Sequence, residues 1–169
     1  MRVLWLLLAL SGALTAQRPV PRPAPELSIV EASGKTTALS SYRGRIVLLA
    51  FISTRCAHCQ KASLVFERLA QEFPGRLQVA EAAFDAEADT EMFRQRFGLT
   101  FPVGTVSSDI AHDFLGIPAG TRVGTPQIVA IDSRGVIRAQ SEPLGTPLLQ
   151  TPDYLRAVIN AIFKQEPGR

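Results

Sequence analysis

The sequence has few of the residues that build metal sites and disulfide scaffolds. It contains two cysteines and two histidines in 169 residues. The cysteines are Cys56 and Cys59, and the absence of a second CxxC or an HxxxH pattern argues against a zinc site. Haem attachment needs a histidine directly after the second cysteine, and residue 60 is Gln, which excludes that role.

Clusters of charge and internal repeats are also missing. The formal net charge is +3, and the basic residues are spread along the chain. Without a basic patch or stripe, nucleic-acid binding is not indicated. After the N-terminal segment the chain has the size of one domain, for which we take residues 27–166.

The N-terminus reads as an export signal. Residues 1–16 have one basic residue, then an apolar core, then small residues, with cleavage expected after Ala16 or Ala13. The apolar span is shorter than the roughly 20 residues of a membrane helix, so contact with a membrane is expected only if the signal stays uncleaved. No cysteine follows this region, which rules out a lipoprotein anchor. Proline alternates with other residues within 17–26, which predicts an extended spacer.

The pair Cys56 and Cys59 lies between an apolar run and a segment with helical periodicity. Residues three apart on a helix are neighbours, so the sulfurs can alternate between a disulfide and two thiols with little backbone movement. A thiolate at a helix start is stabilised by the helix dipole and unpaired N–H groups. We therefore predict that Cys56 is the nucleophile and Cys59 the resolving thiol. His58 is expected to favour the Cys56 thiolate. We therefore expect the pKa of Cys56 to lie well below the value of roughly 8.5 for a free thiol.

A static disulfide is the plain alternative, but closing so short a loop gains little chain entropy. Export implies an oxidising compartment, where a partner protein must keep a redox-active CxxC reduced or oxidised. The expected partners are cysteine-containing exported proteins and a thiol–disulfide donor or acceptor protein.

Strands and helices alternate along the chain, which predicts an α/β fold with a mixed sheet flanked by helices. The last helix is expected to begin with Thr151 as its cap. Its predicted apolar face is formed by Tyr154, Leu155, Val158, Ile159 and Ile162. Strands are predicted at 27–30, 36–39, 46–52, 77–84, 101–106, 127–131 and 136–140, and helices at 57–73, 89–97, 108–115 and from 151.

These motifs resemble the thioredoxin superfamily, specifically the extracytoplasmic TlpA/ResA-like thiol–disulfide oxidoreductases. The likeness rests on residues 39–51, on the CxxC between strand and helix, and on Thr125-Pro126 before a late strand. It implies a three-layer sandwich with an N-terminal hairpin and a central insertion. It also implies a cis bond before Pro126, which stands against the CxxC and leaves Thr125 to pair with an extended substrate. No metal or cofactor is implied.

The chain departs from the resembled family at three positions. Arg55 replaces the usual Trp before the first cysteine, which puts a cation beside the site and favours the thiolate or an acidic substrate. Ala50 and Ala62 stand where the family has a buried Asp or a Glu. The usual proton acceptors for the resolving thiol are thus absent, and nothing in the sequence selects among solvent, Lys61 and Glu67 as a replacement.

Two other functions fit parts of the pattern. A peroxiredoxin-like thiol peroxidase wants Pro and Thr upstream of its cysteine, whereas this chain has Leu49 and Ser53. A copper-handling carrier would use Cys56, Cys59 and His112, although related carriers have a wider CxxxC and an isolated histidine is usually structural. The leading prediction is an exported thiol–disulfide oxidoreductase, with the direction of electron flow left open.

Overall fold

The computed structural model describes residues 17–166, so the predicted signal 1–16 lies outside the described residues. The strands are β1 (Arg22–Pro23), β2 (Ser28–Glu31), β3 (Thr36–Ala38), β4 (Ile46–Ile52), β5 (Leu77–Ala83), β6 (Val103–Thr105), β7 (Gln127–Ile131) and β8 (Val136–Gln140). The helices are α1 (Ala57–Glu72), α2 (Thr90–Arg96), α3 (Ser108–Leu115) and α4 (Pro152–Gln165). No helix within 17–166 has the length and apolar character needed to cross a membrane.

The strands form one mixed sheet in the order β1-β8-β7-β4-β5-β6-β2-β3. Strand β4 pairs in parallel with β5 and antiparallel with β7, and β5 pairs in parallel with β6. Parallel neighbours need a crossover connection, and α1 and α2 provide these two crossovers. The predicted mixed sheet flanked by helices is confirmed, and so is the N-terminal hairpin of β2 and β3.

Strand β4 forms the centre of the molecule because both of its faces are covered. All seven of its residues are buried. Leu48 and Ala50 belong to the core on the side of α1 and α4, whereas Leu49 and Phe51 belong to the core on the side of α3. The ring of Phe51 lies 5.3 Å from that of Phe114 in α3. The apolar run without charges thus produces three layers, with helices on both faces of the sheet.

Helix α4 differs from its prediction in which residues it buries. Leu155, Ile159 and Ile162 are buried, but Tyr154 is 43 % exposed and Val158 is only partly buried. The buried stripe follows the spacing of four and three, and Tyr154 is turned away from it by one residue, or about 100°.

The predicted cap residue of α4 occupies its expected position. Thr151 is the residue at the N-cap, but its side chain makes no capping hydrogen bond. Its hydroxyl instead donates to the carbonyl oxygen of Leu148 at 2.8 Å.

The proline-rich segment lies against the domain, which corrects its prediction as a spacer. Arg22 and Pro23 pair with Ile137 and Val136 at the outer edge of the sheet. The Arg22 guanidinium donates to the carbonyl oxygen of Phe114 at 2.8 Å. An edge strand tolerates proline because the missing N–H faces away from the sheet. The boundary of the domain at residue 27 stays a prediction.

Candidate active site

The two cysteines occupy the junction between β4 and α1. The strand ends at Ile52, and a turn in which the N–H of Cys56 donates to the carbonyl oxygen of Ser53 at 3.1 Å leads into the helix. Cys56 is the N-cap residue, with extended backbone angles, and Ala57 begins the helix. The N–H groups of His58 and Cys59, in the first turn of α1, contribute hydrogen bonds to the Cys56 sulfur.

The two thiols differ sharply in accessibility. Both cysteines are free, but Cys56 is partly exposed and Cys59 is 0 % exposed. Cys59 lies one turn further along α1, on the face that packs against the sheet. A substrate disulfide can therefore reach Cys56 directly, whereas Cys59 is reached only through Cys56.

The pKa values of the two thiols move in opposite directions. Partial burial acts to raise the pKa of Cys56, but hydrogen bonds with Thr125, with the N–H and thiol of Cys59 and with the N–H of His58 outweigh it and bring the pKa below its ordinary value. Burial raises the pKa of Cys59 to about 12. The outer thiol therefore loses its proton at a lower pH than the inner thiol.

Thr125 and Pro126 stand against the Cys56 sulfur. The Cys56 thiol contacts the carbonyl oxygen of Thr125 with an S–O distance of 3.6 Å. The Thr125–Pro126 peptide bond is cis. The position is held by Gln127 at the start of β7, whose buried side-chain amide donates to the carbonyl oxygens of Gly124, Glu142 and Pro143.

His58 contributes to the site through its backbone, and the predicted role of its ring stays a prediction. The N–H of His58 is one of the groups that lower the pKa of Cys56. The side chain is exposed at the surface beside the dithiol. The physical reason is the position of His58 in the first turn of α1, where the N–H groups point at the N-cap while side chains point outward.

Arg55 is paired with a residue that the sequence analysis did not single out. Its guanidinium lies 2.8 Å from the carboxylate of Glu87, and both side chains are largely exposed. Nearby, the hydroxyl of Thr54 donates to Asp85 at 2.8 Å. The segment after β5 is therefore bound to the turn that carries Cys56. The only signal in the sequence was the acidic character of residues 85–89.

His112 lies in a structural setting within α3. Its Nδ1 is 2.8 Å from the carbonyl oxygen of Ser108, and its Nε2 is 3.2 Å from that of Thr121. The ring thereby joins the helix to the loop that leads toward Thr125. Among residues 17–166 no group of three histidine, cysteine or acidic side chains is placed to hold a metal ion, so the geometry does not support the copper site.

A buried carboxyl group lies on β5, in a stretch that the sequence analysis predicted only as a strand. Glu81 of β5 is 0 % exposed, and burial raises its pKa to about 8. One of its carboxyl oxygens lies 2.7 Å from the hydroxyl oxygen of Ser63 in α1. The earlier candidates are elsewhere, since Lys61 is exposed and Glu67 accepts hydrogen bonds from Thr100. A single charge inside an apolar strand was the signal available.

Comparison with known proteins agrees with this geometry. The model of the AhpC/TSA family matches residues 20–140, which is more than half of the chain. The chain belongs to the AhpC/TSA family. As a member of that family it is 31 % identical over 120 residues to a thioredoxin-like protein, YneN, of Bacillus subtilis. It is 26 % identical over 117 residues to the thiol-disulfide oxidoreductase ResA of Geobacillus thermodenitrificans.

The matched region is 68 % of this chain in both comparisons and covers 66 % of YneN and 64 % of ResA. The chain thus spans slightly less than two thirds of the length of these curated relatives. The predicted resemblance to ResA-like proteins with a thioredoxin fold is confirmed.

Solved structures show the same fold in this AhpC/TSA family member. A putative thiol:disulfide interchange protein DsbE from Chlorobium tepidum superposes with a TM-score of 0.69 at 21 % identity, covering 84 % of this chain and 96 % of that one. A hypothetical protein from Sinorhizobium meliloti superposes with a TM-score of 0.71 at 21 % identity, covering 90 % and 89 %. The fold is thioredoxin-like.

Proposed function

We propose that this protein is an exported thiol–disulfide oxidoreductase that exchanges its CxxC disulfide or dithiol with protein cysteines. The observation that carries the proposal is the asymmetry of the pair. Cys56 is accessible and its pKa is lowered at the start of α1, whereas Cys59 is fully buried and its pKa is raised to about 12. The names of the curated relatives support the same chemistry.

The exchange proceeds in two balanced steps. The Cys56 thiolate attacks one sulfur of a substrate disulfide, a mixed disulfide forms, and the other substrate sulfur leaves as a thiolate. Cys59 then loses its proton and attacks the Cys56 sulfur, so the internal disulfide forms and the second substrate thiolate leaves. The two cysteines are oxidised and the substrate disulfide is reduced. The same steps in reverse oxidise a substrate dithiol, and no metal or cofactor is needed.

Substrate is expected to bind across Thr125 and Pro126, next to the Cys56 sulfur. The carbonyl oxygen of Thr125 already contacts that sulfur. An extended peptide that pairs with the backbone of Thr125 would present its own sulfur to Cys56. Arg55 lies beside the same opening and can move from its exposed pairing with Glu87 to an acidic side chain of the substrate.

Export is proposed from the composition of residues 1–16, and it places the dithiol in an oxidising compartment. There a partner protein has to supply or remove the electrons. The direction follows from the reduction potential, because a stabilised Cys56 thiolate makes the reduced form more stable and the protein more oxidising.

The test is a redox equilibrium of the purified protein with glutathione, together with trapping by a Cys59→Ser variant. A potential near about −270 mV would assign a reductant and one near about −120 mV an oxidant. The variant is expected to accumulate a mixed disulfide with an oxidised model peptide, and Cys56→Ser is the matched control that should accumulate none. Failure of wild type to exchange with the peptide, combined with rapid reaction of the reduced protein with peroxide, would overturn the proposal in favour of a thiol peroxidase.

A further inference from the structure

The buried carboxylate of Glu81 is placed by the register of the parallel strands. Glu81 is the Cα partner of Ala50 on β4 and of Val103 on β6, so apolar side chains flank it in the sheet. Its side chain reaches α1, where one carboxyl oxygen lies 2.7 Å from the hydroxyl oxygen of Ser63. The two positions at which the resembled family carries an acid, Ala50 and Ala62, lie in the same core cluster as Cys59. The acid therefore enters the region of Cys59 from the neighbouring strand.

The hydrogen bonds indicate that Glu81 carries a proton in the resting protein. The Ser63 oxygen lies 2.7 Å from the Glu81 carboxylate and 2.9 Å from the carbonyl oxygen of Cys59, and both neighbours are acceptors if Glu81 is ionised. One hydroxyl proton cannot serve two acceptors. If Glu81 is protonated, it donates to Ser63 and Ser63 donates to Cys59, so both contacts are hydrogen bonds.

The second carboxyl oxygen supports the same state. Within residues 17–166, Oε2 of Glu81 has no hydrogen-bond partner, although the side chain is 0 % exposed. An ionised carboxylate with one bare, buried oxygen is costly, whereas a neutral carboxyl group leaves only an unpaired carbonyl oxygen. The group is nevertheless able to ionise near neutral pH, because the Ser63 hydroxyl can donate to the ionised carboxylate instead of to Cys59, and this hydrogen bond partly offsets the effect of burial on the pKa of Glu81.

We propose that Glu81 is the positioning residue that takes up the proton of Cys59 in the resolving step, from a site that Ser63 connects to the backbone carbonyl oxygen of Cys59. This inference rests on the proposed function. In the mixed disulfide, an ionised Glu81 receives the Cys59 proton, Cys59 attacks the Cys56 sulfur, and the substrate sulfur leaves as a thiolate. Glu81 ends neutral and then returns its proton to solvent. In the reverse direction the neutral carboxyl group supplies the proton to Cys59 as it leaves the disulfide.

The charged surroundings leave this role to Glu81. On α1, the helix that faces it, the titratable groups of the core are Cys59 and Glu67, and Glu67 is bound to Thr100. The sheet neighbours Ala50 and Val103 carry no charge. Glu81 is therefore the buried acid of this part of the core whose hydrogen bonds lead to Cys59.

The test follows release of thionitrobenzoate from a mixed disulfide preformed on Cys56, by stopped flow across pH 6–10. In wild type, the resolving rate should rise with the ionisation of Glu81 and level off above a pH of about 8. In Glu81→Gln the rate should fall about 100-fold at pH 7, a typical contribution of a positioned proton acceptor. The resolving rate of this variant should keep rising with pH without a plateau, because Cys59 must ionise without a neighbouring proton acceptor.

Two further variants separate this role from a structural one. Glu67→Gln makes the same change at another buried acid of the molecule and should leave the profile unchanged. Ser63→Ala removes a hydrogen bond that lowers the pKa of Glu81, so the plateau should move to higher pH. A merely structural role for Glu81 would alter the melting temperature and leave the shape of the pH profile intact.

The experiment separates a failure of the role of Glu81 from a failure of the proposed function. If wild type forms no mixed disulfide at Cys56, the proposed function fails. If wild type resolves its mixed disulfide and Glu81→Gln shows the same rate and the same plateau, the proposed function stands and the role of Glu81 is overturned.

Discussion

The sulfur of Cys56 lies 3.6 Å from the carbonyl oxygen of Thr125, although 69 residues separate the two in the chain. The contact joins the start of α1 to the bend that precedes β7, two elements that share β4 as a neighbour. It defines the surface at which a substrate would meet the thiol. The first prediction concerns the side chain of the same Thr125.

Thr125→Val should raise the pKa of Cys56, because it removes a side-chain hydrogen bond that lowers this pKa. A neutral hydrogen bond contributes about 1 kcal/mol, so alkylation of Cys56 by iodoacetamide at neutral pH should slow by roughly fivefold. Thr125→Ser keeps the hydroxyl and is the matched control. Equal alkylation rates in wild type and Thr125→Val would show that the side chain of Thr125 does not lower the pKa of Cys56.

Glu81 should make stability depend on pH in a defined window. The folded state keeps the Glu81 proton up to a pH of about 8, whereas an unfolded chain releases it near the ordinary value of 4.5. Between these values the native state binds more protons, so the free energy of unfolding falls as pH rises. At about 1.4 kcal/mol per pH unit, the loss approaches about 5 kcal/mol as an upper limit.

Urea unfolding of wild type and Glu81→Gln from pH 5 to pH 9 measures this effect. The glutamine of the variant cannot ionise. The free energy of unfolding of the variant should therefore increase relative to that of wild type up to a pH of about 8, and the difference should stay constant above that pH. Two curves that run parallel across the whole range would show that the carboxyl group of Glu81 ionises equally in the folded and unfolded states.

Asp132 should be a major contributor to stability at the turn between β7 and β8. Its buried carboxylate accepts hydrogen bonds from the N–H of Val136 at 2.9 Å and from the Arg138 guanidinium at 2.8 Å. Asp132→Ala leaves Arg138 without this partner and should cost about 3 kcal/mol in urea unfolding. As a control, Asp109→Ala removes an exposed acid from α3 and should change the free energy of unfolding little. Equal losses of stability in the two variants would refute the assigned role of Asp132.

The same residue has an expected signature in acid. Burial opposes ionisation of Asp132, but hydrogen bonds from Val136 and Arg138 outweigh it and lower its pKa below the ordinary 3.8. A carboxyl group whose pKa is lower in the folded than in the unfolded state stabilises the protein fully at pH values above its unfolded-state pKa. This stabilisation is lost as the pH falls through the folded-state pKa. The gap between wild type and Asp132→Ala should therefore narrow below pH 4, and a constant gap would argue against an ionised Asp132.

The segment before the domain should add measurable stability through Arg22. Its guanidinium donates to the carbonyl oxygen of Phe114 and to the side chain of Gln140, each at 2.8 Å. Arg22→Ala should cost about 2 kcal/mol, since hydrogen bonds from charged groups are stronger than neutral ones. Arg18→Ala breaks only an exposed ion pair with Asp113 and serves as the control with no measurable loss. Thermal unfolding of both variants provides the comparison.

Much of the fold could be predicted because its signals are local. The seven uncharged residues of β4, the apolar stripe of α1 and the caps Asp89 and Ser107 each fall within a short window of sequence. The predicted strands and helices agree with the structure within about two residues, as expected for element ends. The choice of buried residues in α4 was less accurate, because Tyr154 and Val158 are apolar residues whose burial depends on how the helix is rotated against the sheet.

Interactions between distant parts of the chain could not be predicted. Pairing of Arg55 with Glu87 depends on where the segment after β5 crosses the start of α1. The contact of residues 17–25 with the sheet edge depends on which strand lies outermost. Neither leaves a periodic pattern in the sequence, since each involves one or two residues on the surface.

The sequence by itself determined the arrangement of the two thiols in this protein. The spacing of Cys56 and Cys59 and their place between a strand and a helix suffice to predict an accessible outer thiol and an inner thiol that packs against the sheet. Only the tertiary structure decided which acid accompanies the inner thiol. That choice depends on the register in which β5 aligns Glu81 with Ala50, and register is set by the packing of the whole sheet.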